Sequence, residues 1–104
     1  MPWMYILRCA DNSYYVGSTT DLERRVAEHN EGIGAQYTAR RRPVELVSSA
    51  EFPDIRQAYV AEKKVQGWSR AKREALIRGD FEALPGLSKK DFTKYRAERN
   101  TRVE

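Results

Sequence analysis

The sequence predicts an α/β (α+β) fold in which a small three-stranded antiparallel sheet is flanked by helices. Two apolar runs of strand character are separated by a short polar turn, which is typical of a β-hairpin. A helix start signal follows the second run, and a third strand-like run precedes two further helical patterns. This order of elements indicates one sheet that is covered by helices.

The hairpin is the first predicted element, and it has two strands joined by a polar turn. The two strands are residues 3–9 and 14–18, and the turn between them is residues 10–13. Side chains on a strand alternate between its two faces, so Tyr5 lies on one face of the first strand, and Tyr15 and Gly17 share a face of the second. Gly17 has no side chain, and another group can therefore approach the backbone closely at that position.

A helix follows the hairpin. Thr20 is predicted as the N-cap of a capping box with Glu23, and Gly32 is predicted to end the helix. Arg25 and His29 are four residues apart, so they lie along one face of this helix. That face is next to an apolar stripe, which we expect to pack on the sheet.

The rest of the chain is predicted as a loop, a strand and two helices. These are residues 31–43, 44–49, 53–67 and 70–78, the last with Ser69 as N-cap and Gly79 as the stop. We expect one domain over residues 1–80. Residues 81–104 are expected to be a basic helical extension and tail of the same domain.

The composition indicates a globular protein with a modest positive charge. The chain has 104 residues, which suits one domain, and its net charge of +4 favours DNA or RNA as a partner without choosing between them. Cys9 is the one cysteine, so no disulfide can form within the chain. No apolar run is long enough to span a membrane. We therefore expect a cytoplasmic protein without a membrane partner.

The residue counts exclude several kinds of site. One histidine and one cysteine cannot make a zinc site of Cys and His ligands alone, and no glycine-rich phosphate loop of Walker type is present. Tyrosines, arginines and carboxylates are the remaining candidates, and they suit phosphodiester chemistry. Arginine binds phosphate and stabilises its charge, a carboxylate binds a hard divalent ion, and tyrosine beside a cation can act as a base.

Two tyrosine motifs in the hairpin resemble the signature of the GIY-YIG nuclease superfamily. They are Met4-Tyr5-Ile6 and, further along, Tyr15-Val16-Gly17. The similarity continues through the first helix, through residues 34–38 and 61–64, and extends from residue 3 to about 78. It is closest to the short stand-alone bacterial UPF0213-like branch. The chain also resembles the nuclease domain of a structure-specific endonuclease subunit that cuts branched DNA. The first motif departs from the family in having Trp3 where glycine is usual.

The resemblance implies a role for each matching residue of the hairpin. Tyr5 matches the general base, or its relay to water. Tyr15 matches the tyrosine that positions the water or the base. Gly17 matches the motif glycine, where the backbone passes close to the site.

The resemblance also implies roles for three residues on helices. Arg25 matches the arginine that binds the scissile phosphate, and His29 matches a supporting polar residue. Glu62 matches the single acidic ligand of a divalent metal, Mg²⁺ or Mn²⁺. The implied activity is a metal-dependent endonuclease that hydrolyses DNA phosphodiester bonds, with branched or damaged DNA as candidate targets and 5′-phosphate and 3′-hydroxyl ends as products. A protein partner could supply the choice of target.

Each of these residues also has an ordinary structural interpretation. Tyr5 and Tyr15 could simply pack across a hairpin. Arg25 could pair with Asp21 at helical spacing on the surface, and His29 could complement the helix dipole. Glu62 could be one charge on a solvated face. A different class of function, a module that binds DNA or RNA with little or no cleavage, therefore stays open beside the nuclease.

The predicted loop over residues 31–43 is basic and aromatic. It contains Tyr37 and three consecutive arginines, Arg40, Arg41 and Arg42. Such residues bind backbone phosphates and stack on bases, and we expect this loop to contact nucleic acid. The alternative is a flexible solvated loop.

Overall fold

The computed structural model describes residues 1–80 of the chain, which is divided into two compact units, Met1–Gln66 and Gly67–Glu104. The first unit contains β1 (Trp3–Arg8), β2 (Tyr14–Thr19), α1 (Leu22–Glu31), α2 (Gln36–Ala39), β3 (Glu45–Glu51) and α3 (Ile55–Gln66). The described part of the second unit contains α4 (Arg70–Arg78). The extension predicted over residues 81–104 lies outside the described residues, and the division into domains stays a prediction.

The sheet has three strands in the order β2-β1-β3, and both pairings are antiparallel. This confirms the predicted fold class. Tyr5, near the middle of the central strand, lies opposite Gly17 on β2 and opposite Ser49 on β3. The pairing of β1 with β3 shifts register between Ile6 and Leu7. The site tyrosine is therefore held by a ladder of hydrogen bonds on each side.

The core lies on both faces of β1. Four consecutive side chains of this strand are at most 1% exposed: Met4, Tyr5, Ile6 and Leu7. The stripe predicted on α1, Leu22 and Val26, packs against the cluster that contains Tyr5 and Leu7, and α3 contacts β1 and β2. Full burial of a large apolar side chain contributes about 1.5–3 kcal/mol, so packing fixes β1 firmly. Cys9 is buried, as expected of a small hydrophobe.

The first helix starts one residue later than the sequence predicted. The N-cap is Asp21, whose carboxylate accepts from the Arg24 backbone N–H at 3.2 Å. Thr20 is not the cap, and the predicted capping box is wrong. The physical reason is the extended backbone of Asp21, whose charged side chain is placed to accept from the helix. Thr19 Oγ1 in turn accepts from the Asp21 N–H at 3.1 Å.

The segment after α1 is more ordered than the predicted loop. Gly32 adopts φ 84° and ends α1, as predicted, and residues 36–39 form the single turn of α2. At the other end of the described chain, Ser69 caps α4 and Gly79 ends it, which confirms both predictions. Among the described residues, no helix is long and apolar enough to cross a membrane.

Candidate active site

Tyr5 is the centre of the candidate site. Its side chain is 1% exposed, and its hydroxyl oxygen lies 2.8 Å from Nε2 of His29 on α1. Burial raises the pKa of Tyr5 to about 12, although a hydrogen bond from Arg25 opposes this shift. Tyr5 is therefore protonated at neutral pH, and its proton is held within the protein interior.

Gly17 makes room for the Tyr5 hydroxyl. A Cβ atom at this position would lie 2.5 Å from the Tyr5 hydroxyl oxygen and 2.7 Å from its Cζ. Both distances are far below van der Waals contact, so a side chain at this position would force the buried Tyr5 ring to shift within a closely packed interior. The close approach that the sequence suggested at Gly17 is therefore made by Tyr5.

His29 is a polar side chain enclosed within the site. It is fully buried, and its Nδ1 lies 2.7 Å from the Thr38 hydroxyl of α2. Burial, together with the positive charge of Arg25, lowers the pKa of His29 to about 4, so the imidazole is neutral at neutral pH. Gly34 packs against the ring, since a Cβ there would lie 2.6 Å from Nδ1. His29 therefore does not act as a helix-dipole charge.

Arg25 supplies the positive charge beside these rings. Partial burial lowers the pKa of Arg25, but hydrogen bonds with Glu28 and Tyr5 outweigh it and raise that pKa above its ordinary value. The guanidinium donates to Glu28 at 3.0 Å and is 33% exposed. It pairs with Glu28, whereas Asp21 pairs with Arg24. A permanent cation that is partly open to solvent can bind an incoming phosphate.

Aromatic rings join the hairpin to the segment after α1. The Tyr15 ring centroid lies 5.0 Å from that of His29, 6.4 Å from that of Tyr5 and 6.1 Å from that of Tyr37. Burial raises the pKa of Tyr15, while Arg25 opposes the shift and Glu62 adds to it. Tyr37 is 39% exposed, so this row of rings leads from the buried His29 to the surface.

Glu62 is the candidate metal ligand, and it is 9% exposed. Its two carboxylate oxygens accept from the Ser18 hydroxyl at 2.6 Å and from the Gln66 amide at 2.8 Å, and Lys63 lies 3.6 Å away. Its charge raises the pKa of Tyr5. Glu62 is therefore not a residue of a solvated face. Its carboxylate is held in one place and acts electrostatically on the tyrosine.

The donor set suits a hydrated hard cation. Over residues 1–80, no group of three or more His, Cys, Asp or Glu side chains is placed to hold a metal ion. Mg²⁺ and Mn²⁺ do not require such a group, because Mg²⁺ keeps several waters and is commonly held by one or two carboxylates together with substrate phosphate. Glu62, with its neighbour Ser18 as a further oxygen, fits that kind of site.

The three arginines of the basic segment have different surroundings. Arg41 lies 3.9 Å above the Tyr37 ring, donates to Asp11 at 3.0 Å and donates to the Tyr37 carbonyl at 2.9 Å. Arg42 donates to the carbonyl of Ala39 at 3.0 Å. Within the described chain, Arg40 makes no hydrogen bond or ion pair with another side chain. Arg40 and Arg42 line an open depression beside Pro43.

The structure brings most of the predicted site residues together, but not all of them. Tyr5, Tyr15, Gly17, Arg25 and His29 form one cluster, to which Tyr37 is joined through its ring. Glu62 acts on that cluster electrostatically, because its negative charge raises the pKa of Tyr5. The arginines Arg40 and Arg42 lie at the depression instead.

Four site residues were not singled out from the sequence. They are Ser18, Gly34, Thr38 and Gln66, each of which packs against or hydrogen-bonds a predicted residue. For Ser18, Gly34 and Thr38 a signal was present, because each lies in a segment that carries the family resemblance. Ser18 lies 44 positions from Glu62, so their contact requires the tertiary fold. Gln66 lies four positions after Glu62 on the same helix, so their contact is local.

Comparisons with known proteins identify the family of this chain. Residues 1–75 match the model of the GIY-YIG catalytic domain. A UPF0213 protein of Natronomonas pharaonis is 48% identical over 75 residues, covering 72% of this chain and 88% of that protein. The UPF0213 protein YazA of Bacillus subtilis is 45% identical over a match that covers 72% of this chain and 76% of that protein. The E. faecalis protein EF2693, whose solution NMR structure is known, has 39% sequence identity and a TM-score of 0.52, and the match covers 74% of this chain and 82% of that one. The chain therefore belongs to the GIY-YIG family, in its UPF0213 branch.

Proposed function

We propose that the protein is a divalent-metal-dependent endonuclease that hydrolyses DNA phosphodiester bonds, with branched or damaged DNA as its candidate targets. The single observation that carries the proposal is the hydrogen bond between the buried Tyr5 hydroxyl and the neutral imidazole of His29, beside the Arg25 cation. A tyrosine that only packed in a core would not need a titratable partner and a permanent cation around its oxygen.

Tyr5 is the residue that receives a proton from water in this proposal. Its phenol is protonated at neutral pH, so it can act as a base only by passing on its own proton. Nε2 of His29 is within reach at 2.8 Å. As water attacks phosphorus, one of its protons moves to the Tyr5 oxygen, and the Tyr5 proton moves to His29. The new P–O bond forms while the bond to the 3′ oxygen breaks. That oxygen takes a proton from a solvent water to become a hydroxyl, and His29 afterwards returns its extra proton to solvent through Tyr5.

Arg25 and Tyr15 complete the reacting centre in this proposal. The Arg25 guanidinium binds two phosphate oxygens and stabilises the charge that develops on them. The negative charge that develops on the phosphate also favours the positively charged imidazolium form of His29 during the reaction, because opposite charges then lie close together. Tyr15 lies between His29 and Tyr37 and orients the water. A metal ion held by Glu62 would supply neutralisation of the phosphate and of the leaving oxygen.

A cleavage assay on the full chain tests the proposal. Linear, flapped and branched DNA and single-stranded RNA are incubated with the protein in Mg²⁺ or Mn²⁺. Three variants, Tyr5→Phe, Arg25→Lys and Glu62→Gln, are each expected to lower kcat about 100-fold or more. Their matched controls are Tyr14→Phe, Arg24→Lys and Glu45→Gln, which change the same residue types outside the cluster and are expected to cut normally.

Two outcomes would contradict the proposal. Cleavage that survives all three substitutions would place the reaction elsewhere or in a contaminant. Binding of nucleic acid without cleavage of any substrate would favour the alternative, a nucleic-acid-binding module that retains the fold.

A further inference from the structure

Thr38 has a place in the site that its residue type alone does not suggest. Its side chain is fully buried, and its hydroxyl oxygen contacts two groups, Nδ1 of His29 at 2.7 Å and the Ala35 carbonyl oxygen at 3.0 Å. A hydroxyl has one proton to donate and two lone pairs to accept with. The two contacts of Thr38 therefore cannot both be donations.

The direction of each bond follows from the partners. The Ala35 carbonyl can only accept, so the 3.0 Å contact between them is a hydrogen bond only when Thr38 donates its proton to that carbonyl. Toward His29 the Thr38 oxygen must then accept, and the proton of that bond is carried by Nδ1. Neutral imidazole has a single N–H, which leaves Nε2 as a bare acceptor for the Tyr5 hydroxyl. Protons are thus ordered along one chain, from Tyr5 through His29 and Thr38 to Ala35.

We propose that Thr38 is a positioning residue that holds His29 in its Nδ1–H tautomer, so that Nε2 is free to receive the proton of Tyr5. The inference rests on the proposed function for its catalytic consequence. In the other tautomer Nε2 would carry a proton and donate to Tyr5, and the phenol could not pass its own proton on. Gly34 contributes to the same geometry, because any side chain there would displace the imidazole from Thr38.

Nuclear magnetic resonance tests the tautomer directly, because His29 is the one histidine of the sequence. In the ¹⁵N-labelled full chain at neutral pH, Nδ1 is expected to give the signal of a protonated ring nitrogen and Nε2 that of a bare one. Thr38→Val keeps the side-chain shape but removes the acceptor, and it should shift the population toward the Nε2–H tautomer. Thr38→Ser retains the hydroxyl and should restore the wild-type pattern. Thr19→Val is the matched control, since Thr19 bonds Asp21 and not His29.

Cleavage by the same variants tests the consequence for the reaction. Loss of a partner that orients a histidine typically costs about 10–100-fold in activity, so Thr38→Val should lower kcat by that factor. KM should change little, because Thr38 is buried and does not touch the substrate in this proposal. Thr38→Ser should stay within a few-fold of the wild type, and Thr19→Val should match it.

The outcomes separate this inference from the proposed function. A wild-type spectrum of the Nε2–H tautomer would overturn the inference without any variant, even where Thr38→Val does not fold. An unchanged tautomer and unchanged kcat in folded Thr38→Val would overturn it as well. A wild-type protein that cuts no substrate would refute the proposed function, whereas the spectra would still decide whether Thr38 sets the tautomer.

Discussion

Gly17 lies directly across the β1–β2 ladder from Tyr5, and a methyl group added to Gly17 would come within 2.5 Å of the Tyr5 hydroxyl oxygen. The absence of a side chain on one strand is therefore what allows the phenol on the other strand to reach His29. Backbone pairing and site geometry are linked at this one position.

Gly17→Ala is the first prediction. The methyl group displaces the Tyr5 ring, and a displacement of about 1 Å can cost 100-fold in rate, so we expect a loss of kcat of about that size. Overpacking should also cost about 1–3 kcal/mol of unfolding free energy, measured by urea denaturation. In a Tyr5→Phe background the nearest clashing atom is absent, and the cost should be smaller. An equal cost in both backgrounds would contradict the proposed clash.

The pH dependence of stability gives a second prediction. The pKa of His29 is 6.5 in the unfolded chain and about 4 in the fold, because burial penalises the charged ring. Between these values the unfolded state binds the proton more strongly, so the free energy of unfolding falls as pH is lowered. The full loss, reached near pH 4, is about 3 kcal/mol.

The control for this prediction is His29→Gln, which has no imidazole but leaves the carboxylates of the chain in place. Urea unfolding of both proteins is measured at intervals from pH 7.5 to pH 4. The stability of the wild type should fall more steeply than that of the variant, with the difference arising below about pH 6.5. If the unfolding free energies of the wild type and of His29→Gln fell in parallel as the pH was lowered, His29 would bind its proton as strongly in the folded chain as in the unfolded chain.

Ser18 gives a third prediction, which concerns the proposed metal ligand. The Ser18 hydroxyl donates to Glu62 at 2.6 Å, and loss of such an orienting partner typically weakens metal affinity about 10–100-fold. Ser18→Ala should therefore raise the Mg²⁺ concentration for half-maximal cleavage by that factor, while kcat at saturating metal falls less. Ser13→Ala, in the β-turn, is the matched control. A metal requirement that is the same in both variants would remove Ser18 from this role.

The arginines of residues 40–42 give a fourth prediction, because their side chains have different partners. Arg40→Ala should weaken binding of double-stranded DNA and reduce the slope of log affinity against log salt by about 0.9, the value for one phosphate contact. It should leave the unfolding free energy unchanged. Arg41→Ala loses the contacts with Tyr37 and Asp11, so it should destabilise the fold by about 1 kcal/mol.

Affinity measured at several salt concentrations and urea unfolding separate these two effects. Arg24→Ala, an exposed arginine on α1, is the control for a general change of charge. If Arg40→Ala and Arg24→Ala reduced the salt slope equally, the predicted contact at Arg40 would be refuted.

Local patterns in the sequence were sufficient to predict the three strands, the helices α1, α3 and α4, and the two tyrosine motifs. The hairpin follows from two apolar runs on either side of a polar turn, and Ser69 and Gly79 delimit α4 by local hydrogen bonding and backbone preference. The N-cap of α1 was misassigned, because Thr20 and Asp21 are both good caps and the backbone conformation decides between them. Boundaries of this kind depend on geometry that residue types do not specify.

The polar partners of the site could not be predicted in the same way. Thr38 meets His29 because α1 ends at Gly32 and the chain turns back through α2, a helical turn in a segment whose residue types predict a loop. Ser18 meets Glu62 only when α3 packs on β2. Likewise, three consecutive arginines have equal charge in the sequence, and only the fold directs Arg41 onto Tyr37.

The contact between Ser18 and Glu62, which spans 44 positions, also has a consequence for biosynthesis. During translation the ribosome releases Tyr5, Arg25, His29 and Thr38 before α3 exists. Because closing so long a loop must precede the contact, the proposed metal ligand joins the other residues late in folding. A chain that ends before α3 would therefore lack the proposed metal ligand, and the proposed centre would be assembled only once α3 had been synthesised and packed on β2.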